Sequence, residues 1–215
     1  MNAAMTDTPI GLREALATVP LVAILRGVRA DEVVAVAAAL VRQGFQVIEI
    51  PLNSPDPLVS IDRLANTLGP RVLVGAGTVL TEDDALGVVA AGGRLLVAPD
   101  CNPAVGEVAM RHAIDWCPGV FTPTEAFAAL RAGAAAVKLF PAEALPPPAV
   151  RAMRAVLPGE ALLLPVGGIA PERMRDYRLA GASGFGLGSA LYRPGMSIDQ
   201  VERAARRFVA ALGEP

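Results

Sequence analysis

The chain has 215 residues, of which 53% are apolar and 19% are charged, with a formal net charge of −2 at pH 7. This composition supports a folded core, excludes a disordered chain, and argues against a basic surface for nucleic acid or anionic membrane. Two cysteines and one histidine exclude a disulfide framework and a multi-histidine zinc site, so we expect a cytoplasmic protein with reduced thiols.

Eight short apolar runs recur along the chain, and each begins about 19 to 27 residues after the last, close to the length of one strand plus one helix. They lack clean alternation, which is typical of parallel strands buried on both faces. The predicted strands are Leu21–Leu25, Val47–Leu52, Val72–Gly75, Leu95–Ala98, Ile114–Cys117, Ala135–Phe140, Leu162–Val166 and Gly184–Leu187.

Alanine-rich segments with helical periodicity separate these runs. Thr81 with Asp84, and Thr124 just before Glu125, are predicted to begin two of the helices. The predicted helices are Gly11–Thr18, Asp31–Arg42, Asp56–Leu68, Thr81–Ala91, Pro103–His112, Thr124–Ala132, Pro146–Val156, Pro171–Ala180 and Ser197–Leu212.

Eight strands that alternate with helices favour a single-domain (β/α)8 TIM barrel over residues 11–215. Residues 1–10 lack the features of a signal peptide and are predicted to form a tail. The short helix Gly11–Thr18 is predicted to cover the bottom of the barrel. An open doubly wound sheet is the alternative, although no Gly-x-Gly-x-x-Gly motif follows the first strand.

Lys138 is the one lysine of the chain, beside eighteen arginines, and it lies among apolar residues near the end of the sixth strand. Active sites of barrels lie at the carboxyl ends of the strands. Apolar surroundings lower the pKa of an ammonium group and favour the neutral amine, which attacks ketones to give a Schiff base. Arginine cannot do this because it stays protonated. The alternative is a buried lysine paired with a carboxylate for structure.

Glu49 lies between aliphatic residues on the second strand. A carboxylate in such surroundings needs a partner or a function, and a raised pKa suits it to shuttle protons. The alternative is an ion pair inside the barrel, for which Arg26 is a candidate partner. Beside Lys138 the catalytic interpretation gains weight, because Schiff-base chemistry needs an acid–base group.

Further polar residues and glycines stand at other strand ends. Arg26 ends the first strand and Thr78 the third; a guanidinium and a hydroxyl can hold a carboxylate, but a surface charge and a helix cap are the alternatives. Glycine pairs follow the seventh and eighth strands, where barrels commonly bind phosphate through backbone amides, although turn glycines are the alternative. His112 is predicted to end a helix, Trp116 and Cys117 to pack in the core, and Cys101 to be a loop thiol.

These residues, with their neighbours, make the chain resemble the bacterial 2-keto-3-deoxy-6-phosphogluconate and 2-keto-3-deoxy-6-phosphogalactonate (2-dehydro-3-deoxy) aldolases from about Pro20 to Arg193. The motifs that carry the resemblance are Ala23-Ile24-Leu25-Arg26-Gly27, Val47-Ile48-Glu49-Ile50-Pro51-Leu52-Asn53-Ser54-Pro55, Gly75-Ala76-Gly77-Thr78-Val79-Leu80, Lys138-Leu139-Phe140-Pro141, Val166-Gly167-Gly168-Ile169 and Gly186-Leu187-Gly188-Ser189.

The resemblance implies a role for each matching residue. Lys138 would form the Schiff base, Glu49 would shuttle protons, and Thr78 would help to hold the pyruvate carboxylate. The implied phosphate-binding residues are Gly167, Gly168, Gly188 and Ser189. Pro99 and Phe140 would wall the pocket. It further implies a class I aldolase without metal or cofactor, a phosphorylated 2-keto-3-deoxy sugar acid as substrate, and a homotrimer.

Two positions bear on the choice of substrate. Gluconate enzymes often carry arginine where this chain has Asn53 and threonine where it has Val166, whereas the stretch Ile50-Pro51-Leu52-Asn53-Ser54-Pro55, Val166 and Arg26 resemble the galactonate branch. The resemblance therefore implies cleavage of the phosphogalactonate to pyruvate and D-glyceraldehyde 3-phosphate. Gluconate preference, activity on both C4 epimers, another phosphate-binding barrel enzyme such as an isomerase or synthase, and a non-catalytic sugar-phosphate sensor are the alternatives.

Overall fold

The computed structural model describes residues 8–213, so most of the predicted tail lies outside the described residues. The strands are β1 Leu21–Ile24, β2 Val47–Pro51, β3 Leu73–Gly77, β4 Leu95–Val97, β5 Asp115–Cys117, β6 Gly119–Val120, β7 Val137–Leu139, β8 Leu163–Pro165 and β9 Phe185–Leu187. The α-helices are α1 Leu12–Thr18, α2 Val33–Arg42, α3 Pro57–Leu68, α4 Glu82–Ala90, α5 Pro103–Arg111, α6 Pro123–Arg131, α7 Pro147–Val156, α8 Pro171–Leu179 and α9 Ile198–Leu212. A 3₁₀ turn, Ala142–Ala144, follows β7.

The strands form two parallel sheets, one of six strands in the order β5-β4-β3-β2-β1-β9 and one of three in the order β6-β7-β8. The fifth predicted strand, Ile114–Cys117, corresponds to β5. A further short strand, β6, follows Pro118, which has no amide hydrogen to donate to a ladder, and joins the second sheet. At the other edge, a parallel bridge pairs Val166 with Gly186. The architecture is therefore α/β with parallel strands, as the sequence predicted.

Side chains alternate between two apolar layers along each strand. On β2, Ile48 and Ile50 face the helices, whereas Val47 belongs to the inner cluster with Val22 and Leu73. Successive side chains of a strand point to opposite faces, so Glu49 shares the inner face with Val47. Both faces of the strands are buried, which explains why their sequences show no polar alternation.

Helix α1 closes the amino-terminal side of the inner layer. Leu12, Ala15 and Leu16 pack with inner strand residues in one cluster. The backbone amide of Leu12 donates to Asp115 Oδ2 at 2.7 Å. Ile10, from the predicted tail, is 1% exposed and belongs to the same cluster. The predicted role of this helix as a cover of the barrel bottom therefore agrees with its packing.

Capping boxes begin α4 and α6. The Thr81 side chain accepts from the Asp84 amide, as predicted. At α6 the prediction of Thr124 is wrong, since the cap is Thr122, whose hydroxyl accepts from the Glu125 amide while the Glu125 carboxylate accepts from the Thr122 amide. The reciprocal pair needs a spacing of three residues, which Thr122 has and Thr124 lacks. No helix in residues 8–213 is long and apolar enough to cross a bilayer.

Candidate active site

Lys138 is on the inner face of β7 and is 6% exposed. Its Nζ lies 4.8 Å from the centroid of the Phe140 ring. Phe140 follows Lys138 by two residues, so both side chains point to the same face of the extended chain. Desolvation by this burial lowers the pKa of the Lys138 ammonium from its ordinary value, and the neighbouring charge of Glu49 opposes part of the shift. The environment therefore favours the neutral, nucleophilic amine.

Glu49 lies on β2 and is 1% exposed. Its Oε2 has no hydrogen-bond partner. The adjacent strand makes room for the carboxylate, because a Cβ on Gly77 would stand 2.0 Å from Oε2. Desolvation raises the pKa of Glu49 to about 7, and the positive charges of Lys138 and Arg26 oppose the shift. A carboxyl group with this pKa can both give and take a proton near neutral pH.

Glu49 and Lys138 both line a small internal cavity of about 20 Å³ among aliphatic side chains. No ion pair within 4.0 Å joins either of them to another charged group in residues 8–213. The structural alternatives, a lysine paired with a carboxylate and an ion pair between Glu49 and Arg26, therefore lack the contact they require. An amine and a carboxyl group with converging pKa values can exchange protons with a carbonyl compound.

A larger cavity of about 360 Å³ opens at the carboxyl ends of the strands, with Lys138 in its lining. The structure brings ten of the eleven predicted site residues to this cavity, and Glu49 lies below it beside Lys138. The ten are Arg26, Thr78, Pro99, Lys138, Phe140, Val166, Gly167, Gly168, Gly188 and Ser189.

Arg26 and Thr78 both line the cavity. Arg26 is exposed, and its guanidinium donates to Asn53 Oδ1, which holds it at the mouth. Thr78 has a φ of 58°, a conformation that is uncommon for a β-branched residue. It does not cap α4, because Thr81 does. A strained hydroxyl residue at a cavity wall is typical of a functional site.

The glycine pairs also line this cavity. Gly167 and Gly168 have φ values of 111° and 59°, which favour glycine, and α8 begins shortly after them at an N-cap without a side-chain hydrogen bond. After β9, the amides of Leu191 and Tyr192 donate to the Gly188 carbonyl at 2.8 and 3.0 Å, which forms a tight turn. Backbone amides at such turns and at a helix N-terminus can bind an anion.

Sequence reasoning missed Glu143, which also lines the cavity. It lies two residues after the Lys138–Pro141 motif, so extending the strand-end rule by two residues would have found it. The contact between Asn53 and Arg26 depends on tertiary structure and had no local signal.

The residues predicted to be structural are placed as expected. His112 is the C-cap of α5, and Cys101 is partly buried. Trp116 is 1% exposed and packs against Gly106, where a Cβ would stand 2.6 Å from the ring. Cys117 belongs to the inner cluster, and burial raises the pKa of its thiol to about 12.

Comparison with known proteins finds aldolases among the relatives of this chain. Residues 12–205 match the family described as KDPG and KHG aldolase. A probable 2-dehydro-3-deoxy-6-phosphogalactonate aldolase of Rhizobium meliloti (strain 1021) is 47% identical over 89% of this chain and 91% of its own length. The 2-dehydro-3-deoxy-6-phosphogalactonate aldolase of Escherichia coli (strain K12) is 42% identical over 91% and 95%. A 2-dehydro-3-deoxy-phosphogluconate aldolase of Haemophilus influenzae is more distant, at 33% over 80% and 81%.

Solved structures share the architecture. A structure described as native KDPGal superimposes with a TM-score of 0.89 at 42% identity, covering 90% of this chain and 94% of the other. A KDPG aldolase of Legionella pneumophila, with pyruvate captured as a covalent carbinolamine, has a TM-score of 0.80 at 27% identity over 92% and 96%. The fold, the site and these relatives lead to one conclusion: this chain is an aldolase, a carbon–carbon lyase, and belongs to the KDPG and KHG aldolase family.

Proposed function

We propose that this aldolase cleaves 2-dehydro-3-deoxy-6-phosphogalactonate to pyruvate and D-glyceraldehyde 3-phosphate through a Schiff base on Lys138. The observation that carries the proposal is a single buried amine with a lowered pKa, in the lining of the strand-end cavity and beside the protonatable Glu49. The Legionella relative, which holds pyruvate as a carbinolamine, supports covalent chemistry in this family.

The substrate is placed by its two charged ends. Its phosphate binds the backbone at Gly167, Gly168, Gly188 and Ser189. Its C1 carboxylate binds near Thr78 and Arg26, which line the same cavity. The C2 ketone then lies over Lys138, with Pro99 and Phe140 as apolar walls.

Catalysis begins when the neutral amine of Lys138 adds to C2, and Glu49 moves the protons that convert the carbinolamine into an iminium ion with loss of water. Glu49, through a water, then removes the C4 hydroxyl proton. The C3–C4 bond breaks, its electron pair passes to the iminium as an enamine, and the aldehyde leaves. Protonation at C3 and hydrolysis of the imine release pyruvate and restore Lys138.

The choice of C4 epimer is the finer part of the proposal. Val166 presents no hydroxyl to the cavity, and Asn53 holds Arg26 at its mouth. The relatives named for the galactonate substrate are 42% and 47% identical to this chain, whereas the Haemophilus gluconate relative is 33% identical. Galactonate preference is therefore favoured, and gluconate or dual activity is the alternative.

Trapping of the imine tests the chemistry. Borohydride added with pyruvate is expected to add one reduced pyruvate to Lys138, which peptide mass spectrometry locates because the chain has no second lysine. Lys138→Arg keeps the charge and is expected to show no adduct and at least about a 10³-fold loss of activity. Unmodified Lys138 in the wild type would indicate a non-catalytic sugar-phosphate protein or another type of barrel enzyme.

Pyruvate release from the two C4 epimers tests the substrate. The galactonate epimer is expected to give the higher kcat/KM. Equal values would indicate a dual-epimer enzyme, and a higher value for the gluconate epimer would reverse the assignment.

We also propose that residues 11–215 form one closed (β/α)8 barrel that assembles as a cytoplasmic homotrimer. Support for closure comes from the Val166–Gly186 bridge at one edge and from chain continuity through Pro118 at the other. Support for assembly comes from a similar chain within a cage designed from symmetric oligomeric domains, and free Cys101 and Cys117 fit a reducing compartment. Light scattering after gel filtration is expected to give three times the 22.1 kDa chain mass.

A further inference from the structure

Glu143 lies against the backbone of one glycine pair. A Cβ built on Gly167 would stand 2.3 Å from Glu143 Oε2, and one built on Gly168 would stand 3.0 Å from Oε1. The two glycines therefore leave space that the carboxylate of Glu143 occupies. Among the cavity-lining residues in the described part of the chain, Glu143 is the acidic one.

The backbone that carries Glu143 is firmly held. The Ala142 amide donates to the Val166 carbonyl at 2.9 Å, and the buried Tyr177 hydroxyl donates to the Ala142 carbonyl, also at 2.9 Å. The Leu145 amide closes the turn on Ala142. The carboxylate of Glu143 can therefore leave the glycine pair by side-chain rotation, whereas its backbone stays fixed.

The position of this carboxylate opposes an anion at the same glycines. A phosphate monoester carries about −1.5 to −2 charges at neutral pH. No hydrogen bond or ion pair within 4.0 Å joins Glu143 to another residue of the described range 8–213, so its charge is not neutralised by direct contact. The Arg173 guanidinium, 3.4 Å from the Gly168 carbonyl oxygen, is the neighbouring cation and offsets part of this charge.

We propose that Glu143 sets the strength of phosphate binding at the Gly167–Gly168 subsite by holding a competing negative charge there, and so favours release of the phosphorylated product. The inference rests on the proposed function, which places the substrate phosphate at these glycines. A bound phosphate and the carboxylate repel each other, and the side chain rotates outward when the phosphate enters. Glu143 thereby weakens phosphate binding at a subsite whose backbone amides would otherwise retain the product.

Titration calorimetry with inorganic phosphate, at low ionic strength, tests this inference without requiring turnover. Glu143→Gln preserves the shape of the side chain and removes its charge. It is expected to lower the dissociation constant for phosphate by about three- to tenfold, since exposed charges a few ångströms apart interact on this scale. Glu143→Asp, which retains the charge but draws it back by one methylene, is expected to give an intermediate value.

Glu107→Gln is the matched control, because Glu107 is an exposed residue of α5 and its replacement makes the same change in net charge. It is expected to leave phosphate binding unchanged. In steady-state assays, Glu143→Gln is expected to lower KM for the phosphorylated substrate by the factor seen in calorimetry. Inhibition by pyruvate, which has no phosphate, is expected to stay the same.

Unchanged or weaker phosphate binding by Glu143→Gln would overturn the inference, and so would an equal gain in Glu107→Gln. Failure of the proposed function has a different signature. Lys138 would then resist borohydride trapping with pyruvate, whereas the phosphate titrations of the Glu143 variants would still report on the subsite.

Discussion

At the scale of single residues, burial controls the chemistry of Glu49 and Lys138. Removing both groups from water disfavours their charged forms, so the pKa of the acid rises and the pKa of the amine falls. The two groups interact, so their titrations belong to the pair. The consequence is a site in which a neutral amine and a proton-carrying acid coexist near neutral pH.

The raised pKa of Glu49 makes the stability of the protein depend on pH. Its pKa is about 7 in the folded protein and near the ordinary 4.5 in the unfolded chain, so the folded state holds a proton that the unfolded state releases in this window. The free energy of unfolding therefore falls as the pH rises from 4.5 to about 7. In the Glu49→Gln variant this contribution is absent.

We expect the wild type to lose about 2.5 kcal/mol more stability than Glu49→Gln between pH 5 and pH 8, as measured by urea denaturation at each pH. Titrations of groups that do not interact with Glu49 are common to both proteins and cancel in the comparison, whereas the titration of Lys138 is coupled to Glu49, so the difference reports on the pair. Equal losses would show that Glu49 has an ordinary pKa in the folded state.

At the scale of elements, strand β3 makes room for Glu49 because Gly77 has no side chain. Gly77 faces Glu49 on the neighbouring strand, where a Cβ would overlap the carboxylate. Strand β2 thus fixes the register of Glu49, which pairs with Gly75 in the ladder, and β3 supplies the space for its side chain.

Gly77→Ala is expected to push the Glu49 carboxylate away from its position and to lower kcat on the order of 10²-fold, because a shift of about 1 Å has effects of this size. Gly159→Ala is the control, since a Cβ there meets nothing within 4 Å. Steady-state assays of both variants decide the point, and normal kcat in Gly77→Ala would contradict it.

The helix caps lead to a second prediction at this scale. Thr122→Ala removes the capping box of α6 and is expected to reduce the free energy of unfolding by about 1 kcal/mol. Thr124→Ala, two residues away on the same exposed surface, is expected to change it by less than about 0.5 kcal/mol. A larger loss of stability in Thr124→Ala than in Thr122→Ala, measured by chemical denaturation, would indicate that Thr124 caps the helix.

At the scale of the whole molecule, the amino-terminal helix and the catalytic pair are connected through the interior. Leu12 of α1 lines the same small internal cavity as Glu49 and Lys138. The helix therefore excludes water from beneath the site, and that exclusion contributes to the desolvation that shifts both pKa values.

Leu12→Ala is expected to destabilise the protein by about 2–5 kcal/mol and to let water reach Glu49, which lowers the pKa of Glu49 toward its ordinary value. The acidic limb of the kcat/KM profile, which we expect near pH 7 in the wild type, should then move to lower pH.

Leu16→Ala is the matched control, because Leu16 is buried on the same helix but does not line this cavity. It is expected to lose stability without a shift in the pH profile. Identical pH profiles for wild type, Leu12→Ala and Leu16→Ala would show that α1 does not influence the pKa of Glu49.

Local sequence signals predict much of the fold and part of the candidate site. The apolar runs and helical periodicities predicted the parallel α/β order, and glycine, proline and threonine marked most boundaries. Strand-end placement found Arg26, Thr78, Lys138 and the segments after the seventh and eighth strands, and the family resemblance added Pro99, Phe140 and Val166. The predictions missed the short strand β6 after Pro118, because its pairing depends on which backbone groups meet. The cap at Thr122 does have a local signal, the Thr-x-x-Glu spacing to Glu125.

By itself, the sequence determined that one amine, Lys138, would stand at a strand end among hydrocarbon side chains, because composition and periodicity are properties of neighbouring residues. Tertiary structure alone decided that Glu49 would share a buried cavity with Lys138, that Asn53 would hold Arg26, and that Glu143 would lie against Gly167 and Gly168. These contacts join residues far apart in the chain, and their energies depend on desolvation and packing that exist only after the strands have come together.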